Sequence, residues 1–124
     1  MATKPLNVHI VDDDHEMIEI MAAVLEARGH KVKKDLAAVY AIPVLREDQP
    51  DCLIVDIMMS ELNGIEFLAE LKRYKELKKT KIVAVSALDD PIWKKRALAG
   101  GAIAYLTKPL DIATFAQEIE KIVG

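Results

Sequence analysis

The stretch Asp51-Cys52-Leu53-Ile54-Val55-Asp56 lies near the middle of the chain and indicates its fold class. Its four consecutive apolar residues, bounded by acids, match a short strand that is buried on both faces. Strands of that kind belong to parallel sheets that helices cover on each side. The apolar run stops at Asp56, so this acid is predicted at the carboxyl end of a buried strand.

Apolar runs of the same kind recur along the chain and alternate with helical patterns. Strands are predicted at residues 7–11, 81–85 and 103–106, and a more polar strand at 31–34 is expected at an edge of the sheet. Strict alternation of five strands with five helices predicts an α/β fold, with one parallel sheet and helices on both faces.

Helix boundaries are predicted from the residues at the helix ends. The helix over residues 37–47 contains Pro43, which removes a hydrogen bond, so it either begins near Pro43 or is kinked there. The third helix is expected to follow Asn63-Gly64 and to end in lysines. The fourth has Pro91 at a favoured first position, and the last spans residues 111–123. The first helix should end at Gly29 and bury a stripe of Met17, Ile20, Met21, Val24 and Leu25.

Composition excludes several classes of protein. The chain has 124 residues, 52% of them apolar, and a net charge of −3, which suits one domain and gives no general attraction to nucleic acid or anionic membranes. The single cysteine, Cys52, cannot form a disulfide framework and is expected to be buried. Because the sequence lacks a signal-peptide pattern and a bilayer-spanning apolar stretch, a soluble, cytoplasmic protein is expected.

Polar residues follow the predicted strands at the edge where the strands end. Asp12 and Asp13 follow the first strand, Asp56 ends the third, Ser86 follows the fourth, and Lys108 comes soon after the fifth. Ligands of such sheets bind beyond the carboxyl ends of the strands. Crowded carboxylates resist ionisation unless a cation joins them, and Mg²⁺ prefers hard oxygen ligands. The sequence therefore predicts a metal-assisted phosphoryl site with a carboxylate nucleophile.

The chain resembles the receiver domain of two-component response regulators, and the resemblance covers residues 1–124 as a single domain. It implies a flavodoxin-like, doubly wound (βα)₅ fold whose five-stranded parallel sheet has the order 2-1-3-4-5. It also implies a signalling switch that promotes its own phosphorylation, and not a turnover enzyme. The matching motifs are Val8-His9-Ile10-Val11-Asp12-Asp13, Leu53-Ile54-Val55-Asp56-Ile57-Met58-Met59 with Gly64, Val85-Ser86-Ala87 and Tyr105-Leu106-Thr107-Lys108-Pro109.

The resemblance implies a role for each acid at the predicted site. Asp56 resembles the phosphoacceptor, which takes a phosphoryl group from a sensor histidine kinase or a phosphotransfer protein. Asp13 resembles the direct Mg²⁺ ligand, Asp12 resembles the acid that helps through water, and the backbone carbonyl of Met58 falls where the family supplies another ligand. Asp14 leaves the register ambiguous, and the first two acids are preferred because the strand ends just before them.

The remaining motif residues resemble the family's switch. Ser86 matches the switch hydroxyl, Tyr105 the switch aromatic, and Lys108 the lysine that pairs with the phosphoryl group. Pro109 falls where the family has a cis peptide bond after that lysine. The implied output surface is the fourth helix, fifth strand and fifth helix, which would contact a downstream effector protein or domain. Trp93 lies on that surface as either a packing residue or a partner contact.

Ser60 departs from the family's usual pattern, and in the family two other positions flank the phosphoryl group and affect its hydrolysis. Ser60 replaces a proline, so the loop after Asp56 is expected to be less rigid. Met58 and Leu88, each two residues after a site residue, are apolar and cannot orient an attacking water by hydrogen bonding. A long-lived phosphoryl group is therefore the hypothesis for this chain.

Three other classes of protein compete with this interpretation. A phosphatase with an aspartate nucleophile would carry a second aspartate two residues later, where this chain has Met58. A nucleotide or flavin binder would need a glycine-rich phosphate loop after the first strand, and none is present. A phosphorylation-independent interaction module on the same fold is the main alternative, although such proteins usually lose the acids or the lysine.

Overall fold

The computed structural model describes residues 4–59 and 63–124. Strands and helices alternate through these ranges, as the sequence predicts, with one additional 3₁₀ turn at Lys75–Leu77. The elements are β1 (Asn7–Val11), α1 (His15–Glu26), β2 (Lys31–Asp35), α2 (Ala38–Asp48), β3 (Cys52–Asp56), α3 (Gly64–Leu71), β4 (Lys81–Ser86), α4 (Pro91–Ala99), β5 (Ala102–Thr107) and α5 (Ile112–Val123).

The strands form one parallel sheet in the order β2-β1-β3-β4-β5, which confirms the predicted doubly wound fold. α1 and α5 pack on one face, and α2, α3 and α4 pack on the other. Strand order reverses between β1 and β3, which opens a crevice at their carboxyl ends. Pairing of Val11 with Val55 and of Asp56 with Val85 brings the ends of β1, β3 and β4 level with one another.

Burial explains why the strands differ in composition. Every residue of β3 is buried, including Cys52, whose thiol pKa burial raises to about 12. β2 lies at the edge and leaves its lysines exposed, as predicted. Where a strand is covered on both faces, apolar side chains gain from burial on each side, and the alternation of polar and apolar residues disappears.

The sequence left two alternatives for α2, a start near Pro43 or a kink there, and the start near Pro43 was wrong. The helix begins at Ala38 and continues through Pro43, which lies on its exposed face. Ala38, Ala41 and Leu45 form a buried stripe against the sheet. Burial of this stripe stabilises the helical path and offsets the hydrogen bond that the proline removes.

Two further helix details differ from the sequence expectation. α3 ends at Leu71, before the lysines, and a 3₁₀ turn follows it. The core face of α1 is rotated slightly, so that Ile18 and Ala22 are fully buried while Met17, Ile20 and Val24 lie at its margin. The predicted effect of Ser60 on the following loop falls outside the described residues.

Gly64 begins α3 directly beneath the end of β3. A Cβ atom at this position would lie 2.5 Å from the Ile57 Cα and 2.8 Å from the Asp56 carbonyl oxygen. Gly64→Ala is therefore expected to destabilise the fold by about 2–3 kcal/mol, because backbone atoms must move to relieve the overlap. Alanine has the higher helix propensity, so a urea midpoint that is unchanged or raised in the variant would contradict this close approach.

Among residues 4–59 and 63–124, no helix combines the length and apolar character needed to cross a lipid bilayer.

Candidate functional site

The candidate site lies at the carboxyl edge of the sheet, around the crevice between β1 and β3. Asp12 follows β1, Asp56 ends β3, and Ser86 ends β4. The backbone amide of Lys108 donates to the Ser86 carbonyl at 2.7 Å, which brings the segment after β5 to the same edge. Residues that are distant in sequence thus meet in one place because their strands are neighbours.

Lys108 joins the two buried acids of the site. Its Nζ donates to Asp12 Oδ2 at 3.0 Å and to Asp56 Oδ2 at 3.1 Å. Asp12 is fully buried and Asp56 is 4% exposed, so these charge-assisted hydrogen bonds are little screened by solvent. The lysine side chain is 15% exposed, so the protein covers most of it.

Three carboxylates converge at this edge. Asp12, Asp13 and Asp56 each offer an oxygen, and these oxygens all lie within 4.8 Å of one another. Asp13 is exposed while the other two are buried, so the cluster opens toward solvent on one side. Asp14 points elsewhere: its carboxylate accepts from the Met17 amide and caps α1. Of the three consecutive aspartates, Asp12 and Asp13 therefore lie in the cluster, and Asp14 serves as a helix cap.

Burial and charge shift two pKa values in the cluster. Burial, together with the nearby charge of Asp56, raises the pKa of Asp12 from 3.8 to about 6. Burial alone would lower the pKa of Lys108, but the hydrogen bond to Asp12 and the charges of Asp12 and Asp56 raise it above its ordinary value. The acids are therefore short of positive charge even with Lys108 present, and their oxygens suit a hard divalent cation.

This shortage of positive charge predicts a specific effect on stability. The folded protein holds the Asp12 proton more tightly than the unfolded chain does, so stability is lost as the pH rises through about 6. With a chelator present, Asp12→Asn is expected to raise the free energy of unfolding by roughly 1–3 kcal/mol at neutral pH. The gain should shrink as the pH falls toward about 4. Urea unfolding across this range checks it, and a variant less stable than wild type at neutral pH would contradict it.

A hydrogen-bonded chain leads from the site to β5 through Leu88. Its backbone amide donates to Ser86 Oγ at 3.0 Å, and its carbonyl accepts from the Tyr105 hydroxyl at 2.6 Å. Ser86 is fully buried, whereas Tyr105 is half-buried. This backbone link through Leu88 was not predicted, because nothing in a sequence identifies which carbonyl a tyrosine will reach.

The other predicted site residues also lie at this edge. The Met58 amide donates to Asp56 Oδ1 at 2.9 Å, and the Met58 side chain is exposed beside the crevice. The Lys108–Pro109 peptide bond is cis.

Trp93 is half-buried against the core formed by α2, α3 and α4, with the Arg96 guanidinium 5.2 Å from its ring centroid.

A histidine–aspartate pair lies next to the site and had no predicted role; His9 is buried and Asp35 is partly exposed. His9 Nε2 lies 2.7 Å from Asp35 Oδ2, and the Asp35 carbonyl accepts from the Asp12 amide at 3.2 Å. His9 Nδ1 is buried and has no partner among the described residues. The pair holds the end of β2 beside Asp12, and the histidine within an apolar strand was the only signal for it.

This geometry agrees with what comparison to known proteins finds. The sequence model of the response regulator receiver domain family matches residues 8–120. The chain belongs to this family. The polar-differentiation response regulators DivK of Brucella anthropi and Brucella ovis are each 29% identical to it. The alignments cover 97% of the chain and 98% of the first relative, and 95% and 96% for the second.

Solved structures show the same receiver fold. The chemotaxis response regulator CheY4 of Vibrio cholerae superposes with a TM-score of 0.89, at 23% identity, over 96% of this chain and 99% of that one. A CheY-like receiver domain protein from Methanospirillum hungatei gives 0.87 at 21% identity, over 97% and 94%. These likenesses confirm the flavodoxin-like topology.

Proposed function

We propose that this receiver domain accepts a phosphoryl group on Asp56, with Mg²⁺ as cofactor, and thereby switches an output surface. The observation that carries the proposal is the pair of contacts from Lys108 Nζ to Asp12 and Asp56, set inside a cluster of three carboxylates. An acid that serves only as a helix cap needs neither a lysine partner nor two further acids. Family membership supports the same role.

The donor set of the cluster fits Mg²⁺. Asp12, Asp13 and Asp56 offer hard oxygen ligands, and the Met58 carbonyl follows in the adjacent loop. In this proposal, Asp13, Asp56 and the Met58 carbonyl would bind the ion directly, and Asp12 would bind it through a water molecule. The ion supplies positive charge that neutralises the acids and the oxygens of an incoming phosphoryl group.

The proposed transfer breaks one bond and forms another. A carboxylate oxygen of Asp56 attacks phosphorus, and the bond from phosphorus to the donor breaks, so the donor's leaving group takes that electron pair. Lys108 lies within hydrogen-bond distance of the Asp56 carboxylate and is therefore placed to neutralise charge on the transferred group. The Ser86 hydroxyl donates to a phosphoryl oxygen. Such catalysis consists mostly of positioning and charge neutralisation.

The hydrogen bonds of Leu88 support a route from the site to the output surface. When the Ser86 hydroxyl turns toward the phosphoryl group, its bond with the Leu88 amide is lost, and Tyr105 is released from the Leu88 carbonyl. α4 follows this loop and buries only Ala97 within its length. A helix that buries few side chains is easier to shift than a helix that buries a full apolar stripe.

The proposed output surface is the α4-β5-α5 face, and it would contact a downstream effector protein or domain. Ile92, Leu98 and Ile103 on this face are exposed, and Lys94 and Lys95 lie beside them. The phosphodonor is proposed to be a sensor histidine kinase or a phosphotransfer protein. In this proposal residues 1–124 act as one receiver domain that binds neither nucleic acid nor membrane and is not a turnover enzyme. The cytoplasmic location stays a prediction.

The experiment is intact mass after incubation with acetyl phosphate, a small phosphodonor, with Mg²⁺ or with a chelator. One added phosphoryl group that requires the metal is the expected result. No added group under any condition would instead favour the second candidate, a phosphorylation-independent interaction module, because the fold would remain while the chemistry would be absent.

The lifetime of the phosphoryl group is predicted from the two apolar residues beside the site. Met58 is 57% exposed at the crevice, and neither it nor Leu88 can orient a water through its side chain. Met58→Asn and Leu88→Glu are each expected to speed dephosphorylation by roughly tenfold, less than the roughly 10²–10⁴-fold of full general acid–base catalysis, because a side chain that only orients the attacking water contributes less. Decay of the phosphorylated mass after removal of the donor measures this. Equal decay in wild type and both variants would contradict the prediction.

A further inference from the structure

A buried imidazole beside the site is not explained by packing. His9 is 1% exposed in the middle of β1, two residues before Val11, so both side chains lie on the face of the sheet that α2, α3 and α4 cover. His9 Nδ1 has no hydrogen-bond partner among the described residues. A buried polar atom without a partner lowers stability, and an apolar side chain here would avoid that loss. A residue that breaks this rule beside a site is a candidate for a functional role.

The other ring nitrogen of His9 binds Asp35 at the end of β2. Nε2 lies 2.7 Å from Asp35 Oδ2, and because an ionised carboxylate only accepts, Nε2 is the donor. Val11 of β1 pairs with Asp35, so the bond from His9 runs diagonally across the two strands. β2 is an edge strand, and Leu36, which follows it, is 47% exposed. The imidazole therefore fixes the end of a strand that has a neighbouring strand on one side only.

The backbone of Asp35 in turn holds Asp12. The Asp12 amide donates to the Asp35 carbonyl at 3.2 Å, which continues the ladder of β1 and β2 past its last residue pair. The Asp12 carboxylate accepts from the Asp14 amide at 2.9 Å and from Lys108 Nζ at 3.0 Å. Both of these donors lie in segments that follow strands. The Asp35 carbonyl is thus a contact by which the sheet itself fixes the point where Asp12 leaves β1.

We propose that His9 and Asp35 are positioning residues for Asp12: the pair fixes the end of β2, so that the buried acid presents its oxygens in the geometry that phosphoryl transfer requires. The inference rests on the function proposed above for the acid cluster. Neither residue of the pair touches the phosphoryl group. A misplacement of about 1 Å at a site can cost roughly 10²-fold in rate, so a smaller shift of Asp12 slows transfer while the fold remains intact.

His9→Leu separates positioning from packing, because it removes the hydrogen bond and the unpartnered nitrogen together. The urea midpoint of the metal-free protein should equal that of wild type or exceed it. Phosphoryl incorporation from acetyl phosphate should slow by about tenfold. His9→Gln, whose side-chain amide also offers a donor, should restore incorporation toward the wild-type rate. A loss that His9→Gln does not restore would show a packing role and overturn the proposal.

Two further measurements do not depend on the phosphodonor. Asp12 lies at the end of its strand, where amides exchange with solvent through local opening, so its hydrogen exchange should quicken at least about fivefold in His9→Leu. Titration with Mg²⁺, followed by amide chemical shifts, should show binding weakened by about threefold, less than the roughly tenfold or more that loss of a direct partner of a metal ligand costs. If wild type accepts no phosphoryl group, the proposed function fails, and Asp12 exchange still decides the positioning.

His30→Leu is the matched control. His30 is also buried, and its Nε2 lies 2.7 Å from Glu120 Oε2, but it precedes β2 and so lies at the opposite edge of the sheet. Its Nδ1 accepts from the Leu6 amide at 3.0 Å, so the substitution leaves two partners without their bonds and should lower the urea midpoint. Phosphoryl incorporation and Asp12 exchange should match wild type. The two histidine variants are thus expected to have opposite effects on stability and on the site.

Two substitutions of Asp35 separate its hydrogen bond from its charge, and they decide the outcome if His9→Leu does not fold. Asp35→Asn and Asp35→Val remove the same negative charge, but asparagine keeps an oxygen that accepts from Nε2. Asp35→Asn should therefore incorporate the phosphoryl group at close to the wild-type rate, and Asp35→Val about tenfold more slowly. The proposal is overturned if the two Asp35 variants behave alike, or if Asp12 exchange in His9→Leu equals that of wild type.

Discussion

Asp56→Asn is expected to reduce phosphoryl incorporation from acetyl phosphate by roughly 10³-fold or more, because an amide oxygen is a poor nucleophile and carries no charge. The substitution keeps the size of the side chain and the acceptor for the Met58 amide. Fold stability should therefore change little, and the loss should be confined to chemistry. Intact mass under matched conditions measures incorporation.

Asp89→Asn is the matched control for this prediction. Asp89 is exposed in the loop between β4 and α4, outside the acid cluster, and the substitution makes the same chemical change. The control should incorporate the phosphoryl group as wild type does. Incorporation by Asp56→Asn at more than about a tenth of the wild-type rate would mean that another residue is the acceptor, because loss of a nucleophile costs far more than tenfold.

Lys108→Ala is expected to slow phosphoryl incorporation by roughly 10²-fold, the usual cost of removing one charged donor from a polar active site. The substitution also leaves Asp12 and Asp56 facing each other without the ammonium that joins them. The pKa of Asp12 should rise further in the metal-free protein, since Lys108 now lowers it. Initial rates of mass gain and a pH titration of Asp12 by NMR measure both effects.

Two further variants test whether the transfer depends on the position of the lysine and on the shape of its charged group. Lys121→Ala removes an exposed lysine from α5 and should incorporate the phosphoryl group at the wild-type rate. Lys108→Arg keeps the charge but replaces a compact ammonium with a planar fork, so an intermediate rate is expected. A Lys108→Ala rate equal to wild type would show that the contacts to the two acids do not contribute to the transfer.

The strands and the gathering of the site were predictable because they depend on patterns that act locally. A strand buried on both faces must be apolar throughout, so β3 was predicted from five residues, and its end placed Asp56 at the edge. The carboxyl ends of parallel strands lie at one edge of the sheet, so Asp12, Ser86 and Lys108 were predicted at the same edge. Asp90 caps α4 with Pro91 behind it, again a local rule.

Features that depend on tertiary packing were not predictable in the same way. The path of α2 through Pro43 is decided by burial of Ala41 and Leu45 against the sheet. Helix propensities describe single residues and do not include the energy of this burial. The role of Leu88 depends on two backbone groups reached by side chains from other elements.

The central claim is that Asp56 itself carries the phosphoryl group, and borohydride reduction tests it most directly. Borohydride converts an aspartyl phosphate to homoserine, and peptide mapping by mass spectrometry then identifies the modified position. Homoserine at position 56, formed only after incubation with acetyl phosphate and Mg²⁺, is the predicted result. Homoserine at position 12 or 13 in place of 56, or at none of the three acids, would contradict the account.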